Sequence, residues 1–259
     1  MKLPIYQVDA FTKKVFAGNP AAVVPLPDWL PDNTLQAIAA ENNLSETAFI
    51  VKKEGGYDLR WFTPVMEVDL CGHATLASAF VLFDILGSAD KSITFSTKSG
   101  KLTVTNEGNL LTMDFPSRPP VPCPTPADLI DGLGKVPIEL LRSRDYFAVF
   151  STEQEIKSLT PDFTALARLD CTGITVTARS THVDFVSRFF APQAGIPEDP
   201  VTGSAHCSLI PYWAEKLGKK KLHALQVSAR GGELFCEDMG ERVKISGNAV
   251  VFFSGMLEV

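Results

Sequence analysis

One segment occurs twice in this chain: RWFTP, at residues 60–64, returns 128 residues later as RFFAP, at residues 188–192. Each copy is followed by a turn of small residues that opens an apolar helical pattern, CGHAT at 71–75 and DPVTGS at 199–204. We interpret the repeat as two similar halves, each with a strand that ends beside a helix N-terminus. The pattern predicts one reaction site that both halves face.

The bulk composition is that of an ordinary globular protein, with 259 residues, 45% of them hydrophobic and 21% charged. The formal net charge is −6, and the one basic cluster, residues 219–221, follows a predicted helix end where lysines favour the helix dipole. No apolar run approaches the ~20 residues that span a bilayer. We therefore expect no nucleic-acid partner and no membrane partner.

The five cysteines are widely spaced, without any C-x-x-C pair, at positions 71, 123, 171, 207 and 236. Their odd number and spacing argue against a disulfide framework and against a zinc site. This pattern favours a reducing cytoplasmic location.

A proline-rich stretch divides the chain. Six prolines fall between positions 116 and 126, and proline excludes both helix interiors and central strands. We predict a first half at 1–116 and a second half at 117–259, with the last strand free to belong to either. Turns are predicted at Gly100 and at residues 107–109. Apolar helices are predicted at 74–86 and 203–217, and each half fits an α+β unit whose sheet wraps one helix.

The two helix starts offer a cradle for an anion. Gly72 and Gly203 lie where a helix presents unpaired backbone N–H groups and the positive end of its dipole. Such a site suits a carboxylate or a developing enolate oxygen. The alternative is that Thr75 and Ser204 only cap their helices, which is the usual role of these residue types.

Several side chains near these turns are candidates for proton transfer. Glu46 lies at the entry to an apolar strand, where a carboxylate can act as general acid or base, unless it is an idle loop residue. His73 is the histidine that follows a turn glycine, and it is either a hydrogen-bonding catalytic group or a structural residue. Asp199 either takes part in chemistry or only partners the helix dipole.

Cys71 is the candidate for a different mechanism. A thiol near a helix N-terminus can act as a base. A two-thiol racemase, however, needs a second cysteine at the matching place. At the offset of 128 that place holds Asp199, and Cys207 lies about two helical turns further on.

Taken together, the motifs resemble the phenazine-biosynthesis PhzF-like isomerase family, which shares the diaminopimelate epimerase fold. The resemblance covers most of the chain. Its motifs follow in order: VDAFT with FAGNPAAVV (8–12 and 16–24), NLSETAF (43–49), RWFTP (60–64), CGHAT (71–75), and RFFAP with EDPVTGSAH (188–192 and 198–206).

The resemblance implies an α+β fold of two pseudo-symmetric halves, each a rolled, mostly antiparallel sheet around a central helix, with the site in the cleft. It implies chemistry without a cofactor or metal, and a homodimer. Glu46 maps to the general acid/base. His73 and Asp199 map to catalytic groups that also hold the substrate. The substrate-binding residues are Asn19, Gly72, Gly203 and Ser204.

We therefore expect an isomerase that moves a proton on a small carboxylate-bearing metabolite, with Glu46 as the acid/base. One alternative is an amino-acid racemase or epimerase that uses Cys71. Another is a non-catalytic protein of the same fold that binds a small ligand.

Overall fold

The structure of the protein is a computed structural model that describes residues 1–108 and 110–259. The chain forms two compact units, one of residues 1–114 and 245–259 and the other of residues 115–244. The last strand of the chain, which the prediction leaves free to belong to either half, lies in the first unit. The predicted turn at 107–109 includes Asn109, which lies outside the described residues.

The first unit contains two helices and most of the long strands. They are β1 (Lys2–Ala10), β2 (Asn19–Leu26), α1 (Asp32–Asn42), β3 (Glu46–Lys53), β4 (Gly56–Phe62), β5 (Glu67–Val68), α2 (Gly72–Phe80), β6 (Ser92–Thr97), β7 (Gly100–Glu107) and β8 (Leu110–Pro116). A π-helical segment, Val81–Ile85, extends α2, so the predicted helix at 74–86 is present with a change of winding.

The second unit begins within β8. Its elements are β9 (Val121–Pro122), α3 (Ala127–Leu133), β10 (Glu139–Arg142), β11 (Tyr146–Val149), α4 (Glu153–Ser158), α5 (Phe163–Leu166), β12 (Ile174–Arg179), β13 (Phe185–Ala191), β14 (Ile196–Asp199), α6 (Gly203–Leu217), β15 (Lys221–Gln226) and β16 (Gly232–Asp238). The chain leaves this unit within β17 (Arg242–Gly247), and β18 (Ala249–Glu258) completes the first unit. Among the described residues, no helix combines the length and the apolarity needed to cross a bilayer.

The strands of the two units pair in the same order. In the first unit β1–β2 is antiparallel, β2–β3 parallel, β3–β4 antiparallel, β4–β6 parallel and β6–β7 antiparallel. In the second unit the series β10–β11, β11–β12, β12–β13, β13–β15 and β15–β16 repeats those directions one for one. The repeated segments lie at the ends of β4 and β13. The predicted α+β fold, with two look-alike and mostly antiparallel sheets, is confirmed.

Helix α2 is buried on every side because its sequence is made of small residues. Residues 73–79 are all buried, and α2 packs against β1, β2 and β3. Its buried hydroxyl groups bond within the helix: Thr75 Oγ1 donates to the carbonyl of Cys71 at 2.6 Å and Ser78 Oγ to that of Ala74 at 2.7 Å. The polar residues of this helix therefore enter the core without unpaired hydroxyls.

Helix α6 carries a proline in its interior, and the bond that this residue removes is replaced. Pro211 has no N–H to offer the carbonyl of Cys207, four residues earlier. That carbonyl instead accepts a hydrogen bond of 2.8 Å from the backbone N–H of Arg118, in the proline-rich segment. The predicted helix at 203–217 is confirmed at both ends, and Gly218 terminates it in the left-handed conformation.

An arginine in each repeated strand makes a two-bond fork with a glutamate. Arg60 donates to both carboxylate oxygens of Glu67 at 2.8 and 2.9 Å, and the arginine lowers the pKa of Glu67 to about 2. Arg188 binds both oxygens of Glu198 at 2.7 and 2.9 Å. Each guanidinium also lies over the phenylalanine two residues later, at 5.1 and 4.9 Å from the ring centre. The fork fixes the path between the repeated strand and the helix that follows.

We expect Arg188→Met to lower the free energy of unfolding by about 3 kcal/mol, because it leaves the largely buried carboxylate of Glu198 without its partner. The carbonyls of Ile156 and Leu159, which Arg188 also binds, lose a donor as well. Urea unfolding followed by tryptophan fluorescence measures the change.

The matched control is Lys2→Met, which removes an ion pair with both side chains more than 70% exposed. Its effect should stay below about 0.5 kcal/mol. Equal effects of the two substitutions would contradict a structural role for the fork.

Candidate active site

The centre of the candidate site is a contact between a histidine and a carboxylate. Glu46 is the first residue of β3 and His73 the second residue of α2. Glu46 Oε2 lies 3.0 Å from His73 Nε2, although the two groups lack the alignment of a hydrogen bond. The side chains are only 12% and 7% exposed, so the predicted pair is brought together in a largely buried place.

The other nitrogen of His73 has two neighbours. Asn19 Nδ2 lies 3.2 Å from Nδ1, and Cys71 Sγ lies 3.5 Å from the same atom. Asn19 is fully buried as the first residue of β2. Asn19 therefore packs directly against Nδ1, whereas Glu46 lies at Nε2 of the same ring. The predicted role of Asn19 in substrate binding stays a prediction.

Burial disfavours the charged forms of Cys71 and His73, and neighbouring groups add to this effect or oppose it. Burial raises the pKa of the Cys71 thiol to about 11, so the thiol stays protonated at neutral pH. Burial disfavours a charge on His73, but Cys71 and Glu46 favour it, and the net effect raises the pKa of His73 well above its usual value. Because the thiol is neutral, we attribute this rise at neutral pH to the carboxylate of Glu46.

Glu46, Cys71 and His73 are also close enough together to be considered as ligands of a metal ion, and no other such group of three occurs among the described residues. One ligand atom each from Glu46, Cys71 and His73 lies within 4.8 Å of the others. Cys71, however, faces Nδ1 of the ring, whereas Glu46 faces Nε2. A metal ion bound to Nδ1 would have Glu46 on the opposite side of the imidazole, and an ion bound to Nε2 would have Cys71 there. The residues therefore do not fit a single ion without rotation of His73.

In the second unit, a hydrogen-bond network holds the turn that contains Asp199. The hydroxyl of Thr202 donates to Asp199 Oδ2. Gln226, buried in β15, accepts from the backbone N–H of Thr202 at 2.9 Å and donates to the carbonyl of Asp199 at 2.8 Å. Sequence reasoning missed Gln226, because a glutamine within an amphipathic strand carries no signal of such a role.

The starts of α2 and α6 have no side-chain cap in the part of the chain that the structure describes. Helix α2 begins at Gly72 and helix α6 at Gly203. The alternative that Thr75 and Ser204 cap these helices is therefore wrong. Thr75 bonds one turn back inside α2, and Ser204 is the second residue of α6.

The correspondence between the repeats shifts by three residues before the helices. The strands match at an offset of 128, but Gly72 and Gly203 open their helices at an offset of 131. Cys71 then corresponds to Thr202, not to Asp199 as the strand offset predicts. The physical reason is a turn of 3-10 helix, Pro192–Ala194, that lengthens the second connection. In the same helix-based alignment Glu67 matches Glu198.

The first residue of β3 in the first unit corresponds to the first residue of β12 in the second. These residues are Glu46 and Ile174, which match at the offset of 128. Ile174 is 1% exposed and belongs to the apolar core of the second unit. The second copy of the fold therefore has no carboxylate at the position of Glu46.

His206 is a buried histidine whose role is structural. Its Nδ1 lies 2.9 Å from the carbonyl of Thr202, and its ring lies beside Phe185. Burial lowers the pKa of His206 to about 4, so this imidazole is neutral at neutral pH.

Comparisons with known proteins find relatives that match this chain over its whole length. A family model described as "Phenazine biosynthesis-like protein" matches residues 8–255. An uncharacterized isomerase of Pseudomonas aeruginosa is 56% identical over 259 residues, with 100% of both chains covered. A crystal structure of a phenazine biosynthesis protein of the PhzF family from Enterococcus faecalis is 49% identical, covers 100% of both chains and has a TM-score of 0.98.

The fold extends to more distant proteins. The structure of a protein described as a predicted epimerase from Pseudomonas aeruginosa is 19% identical and covers 99% of both chains, with a TM-score of 0.75. This likeness concerns the fold alone.

We expect His73 and His206 to give the protein opposite responses to pH. A raised pKa means that the contribution of His73 to stability is complete below about pH 6.5 and is lost as the pH rises through its folded pKa. A lowered pKa means that His206 reduces stability as the pH falls from about 6.5 toward 4.

Urea unfolding of wild type, His73→Gln and His206→Met, from about pH 4 to well above pH 6.5, checks the two signs. The stability lost in His73→Gln should be largest at low pH and should shrink as the pH rises. The free energy of unfolding of His206→Met, relative to that of wild type, should increase as the pH falls. Parallel pH profiles for all three proteins would contradict the assignment.

Proposed function

Because this chain belongs to the phenazine biosynthesis-like protein family, we propose that it is an isomerase that moves a proton on a small carboxylic acid. Glu46 is the general acid/base in this proposal. The observation that carries it is the position of the Glu46 carboxylate, held 3.0 Å from a buried histidine at the mouth of a strand. Relatives that are named as isomerases support the reaction class.

The proton transfer requires no electron acceptor. Glu46 takes a proton from a carbon next to an unsaturated or carboxyl group, and the electrons of the broken C–H bond form an enolate-like system. Glu46 then delivers the proton to another carbon of the same substrate, and the double bond shifts with it. Substrate and product have the same composition, and the carboxylate is regenerated.

The remaining predicted residues hold the substrate and the developing charge. The backbone N–H groups at Gly72 and at Gly203–Ser204 belong to helix starts, which favour anionic oxygens. We propose that they bind the carboxylate and the enolate oxygen, and that His73 and Asp199 orient the substrate. Thr202 and Gln226 support Asp199 in this role through the hydrogen bonds described above.

Two observations favour Glu46 over a cysteine-dependent racemase. A thiol whose pKa burial raises to about 11 is a poor source of thiolate at neutral pH. A racemase of the two-base type also needs a base from each copy of the fold. The second copy has Thr202 at the position of Cys71 and Ile174 at that of Glu46. A single acid/base fits these residues better than a pair.

We expect Glu46→Gln to lower the rate of proton exchange by ~10²–10⁴-fold, because the amide cannot accept the proton. The substrate is first found by incubating the protein with small carboxylic acids in deuterated water and detecting deuterium at carbon by mass spectrometry. The exchange rate of that substrate then measures the variant.

Glu41→Gln is the matched control, since it makes the same change at an exposed position at the end of α1. It should exchange at the parental rate. A Glu46→Gln protein that exchanges as fast as this control would show that another residue is the base. Absence of exchange from a broad metabolite extract would favour the non-catalytic ligand-binding alternative.

We expect Cys71→Ser to keep exchange within about tenfold of the parental rate, because the hydroxyl preserves a polar neighbour for His73. Alkylation by iodoacetamide at neutral pH should be slow in the folded protein and fast in urea. A complete loss of exchange in Cys71→Ser, together with rapid alkylation that inactivates the folded protein, would support the racemase instead.

A further inference from the structure

A narrow cavity lies beside the first turns of α6, wholly within the second unit. Ser204 and Ser208 line it from the helix, one turn apart and therefore on the same face. Arg118 lines it from the proline-rich connector, and residues 143–145, which follow β10, line it from the sheet. We call it the α6 cavity. It adjoins Ser204, to which the proposed function gives a part in substrate binding.

The backbone holds Arg118 beside the helix. Its N–H donates to the carbonyl of Cys207 at 2.8 Å, which is the carbonyl that Pro211 leaves free. Burial raises the pKa of the Cys207 thiol to about 11, and the charge of Arg118 is the largest effect that opposes this rise. The guanidinium therefore lies close enough to α6 for its charge to act on a side chain of that helix.

The guanidinium of Arg118 has no protein partner in the part of the chain that the structure describes. Within residues 1–108 and 110–259, no carboxylate, carbonyl oxygen or aromatic ring binds it, although the residue is partly shielded from water. Arg60 and Arg188, which are also partly shielded, each bind both oxygens of a glutamate. Removing a charge from water without a partner is costly, so an unpaired guanidinium beside a cavity points to an anion that enters it.

The other charges of the α6 cavity balance each other. Asp145 Oδ2 accepts from Arg144 Nε at 3.2 Å, and Asp145 Oδ1 accepts from the backbone N–H of Gly173 at 3.1 Å. Both oxygens of this carboxylate are therefore occupied, and one positive charge, that of Arg118, is left over. A ligand carboxylate matches this single charge, and its two oxygens match the parallel donors of a guanidinium.

A pair of serines supplies a further donor in the same cavity. Ser143 Oγ and Ser208 Oγ lie 2.8 Å apart, and one hydroxyl donates to the other. Two hydroxyls have two hydrogens and their mutual bond uses one, so the second is available to a ligand. The α6 cavity has room for one small group, of about the size of a water molecule or a carboxylate.

We propose that the α6 cavity binds a second carboxylate of the substrate and that Arg118 is the residue that selects it. The substrate class then narrows from small carboxylic acids to dicarboxylic acids. One carboxylate binds at the helix starts, as in the proposed function, on which this inference rests. The other lies between Arg118 and the serine pair. Arg118 contacts no reacting carbon in this arrangement, so it determines specificity and takes no part in proton transfer.

NMR of protein labelled with ¹⁵N-arginine tests the subsite without any reaction. The Nε–H resonance of Arg118, assigned by its loss in Arg118→Lys, should shift on titration with succinate, glutarate or adipate. The monoamide of the same acid should bind at least about tenfold more weakly, because it can fill only one of the two carboxylate positions. If none of the three acids moves this resonance more than sodium chloride of equal ionic strength does, the proposal is overturned.

Arg118→Met removes the charge and keeps the backbone bond to Cys207. We expect its affinity for the dicarboxylate to fall to that for the monoamide. Its melting temperature without ligand should stay the same or rise, because the lost guanidinium has no protein partner. The matched control is Arg179→Met, since Arg179 is exposed and lies at the other end of β12 from Thr175, which lines the α6 cavity. It should bind like wild type. An Arg118→Met protein that melts earlier and still prefers the diacid would show a structural role only.

Deuterium exchange at carbon separates this inference from the proposed function. For a dicarboxylate substrate, Arg118→Met should raise KM by about 10–100-fold and leave kcat within about threefold of the parental value. A substrate with one acidic group that exchanges equally well in Arg118→Met would overturn the subsite and leave the role of Glu46 intact. Dicarboxylate binding at Arg118 without exchange of any bound acid would contradict the proposed function and leave the subsite intact.

Discussion

Each unit contains one largely buried arginine that joins the repeated strand to the segment leading into the central helix. Arg60 and Arg188 each leave water at a high desolvation cost, which a two-bond carboxylate and an aromatic face offset. Both glutamates precede the first glycine of a central helix by five residues. The fork therefore ties the repeated strand to the segment that leads into the central helix.

The sequence was sufficient for those parts of the fold that repeat. RWFTP and RFFAP identified two equivalent strands, and the apolar runs after them identified α2 and α6. The segment 127–179 gives no clear prediction from sequence, because its strands and helices are short and carry little periodicity: β10 and β11 have four residues each. The sequence does not decide where the final strand belongs, since its partner, β1, is at the opposite end of the chain and no local signal connects them.

At the candidate site, residue types were easier to predict than contacts. Glu46 and His73 were expected in one place, and the structure brings them together. The contacts of Asn19 and Cys71 with the same imidazole depend on how β2 and α2 pack, which spacing in the chain does not encode. The equivalence of Cys71 and Asp199 was wrong for a similar reason, because an extra turn displaces the helix start while leaving the strands in step.

The two copies of the fold have kept their scaffold and diverged in their polar residues. Where one has Glu46 and His73, the other has Ile174 and Ser204. Because only one of the two matching positions carries a carboxylate, Glu46, the scaffold fits the proposed reaction, in which one group both removes and returns the proton.

Pro211 shows how a defect in one element can become an attachment point for another. A regular helix has no spare carbonyl in its middle, so a passing segment cannot bond to it there. By deleting one N–H, Pro211 leaves the carbonyl of Cys207 for Arg118, in a connector whose own prolines leave it few internal partners. A residue with an N–H at position 211 would therefore compete with Arg118 for the carbonyl of Cys207, and the connector would be held less firmly.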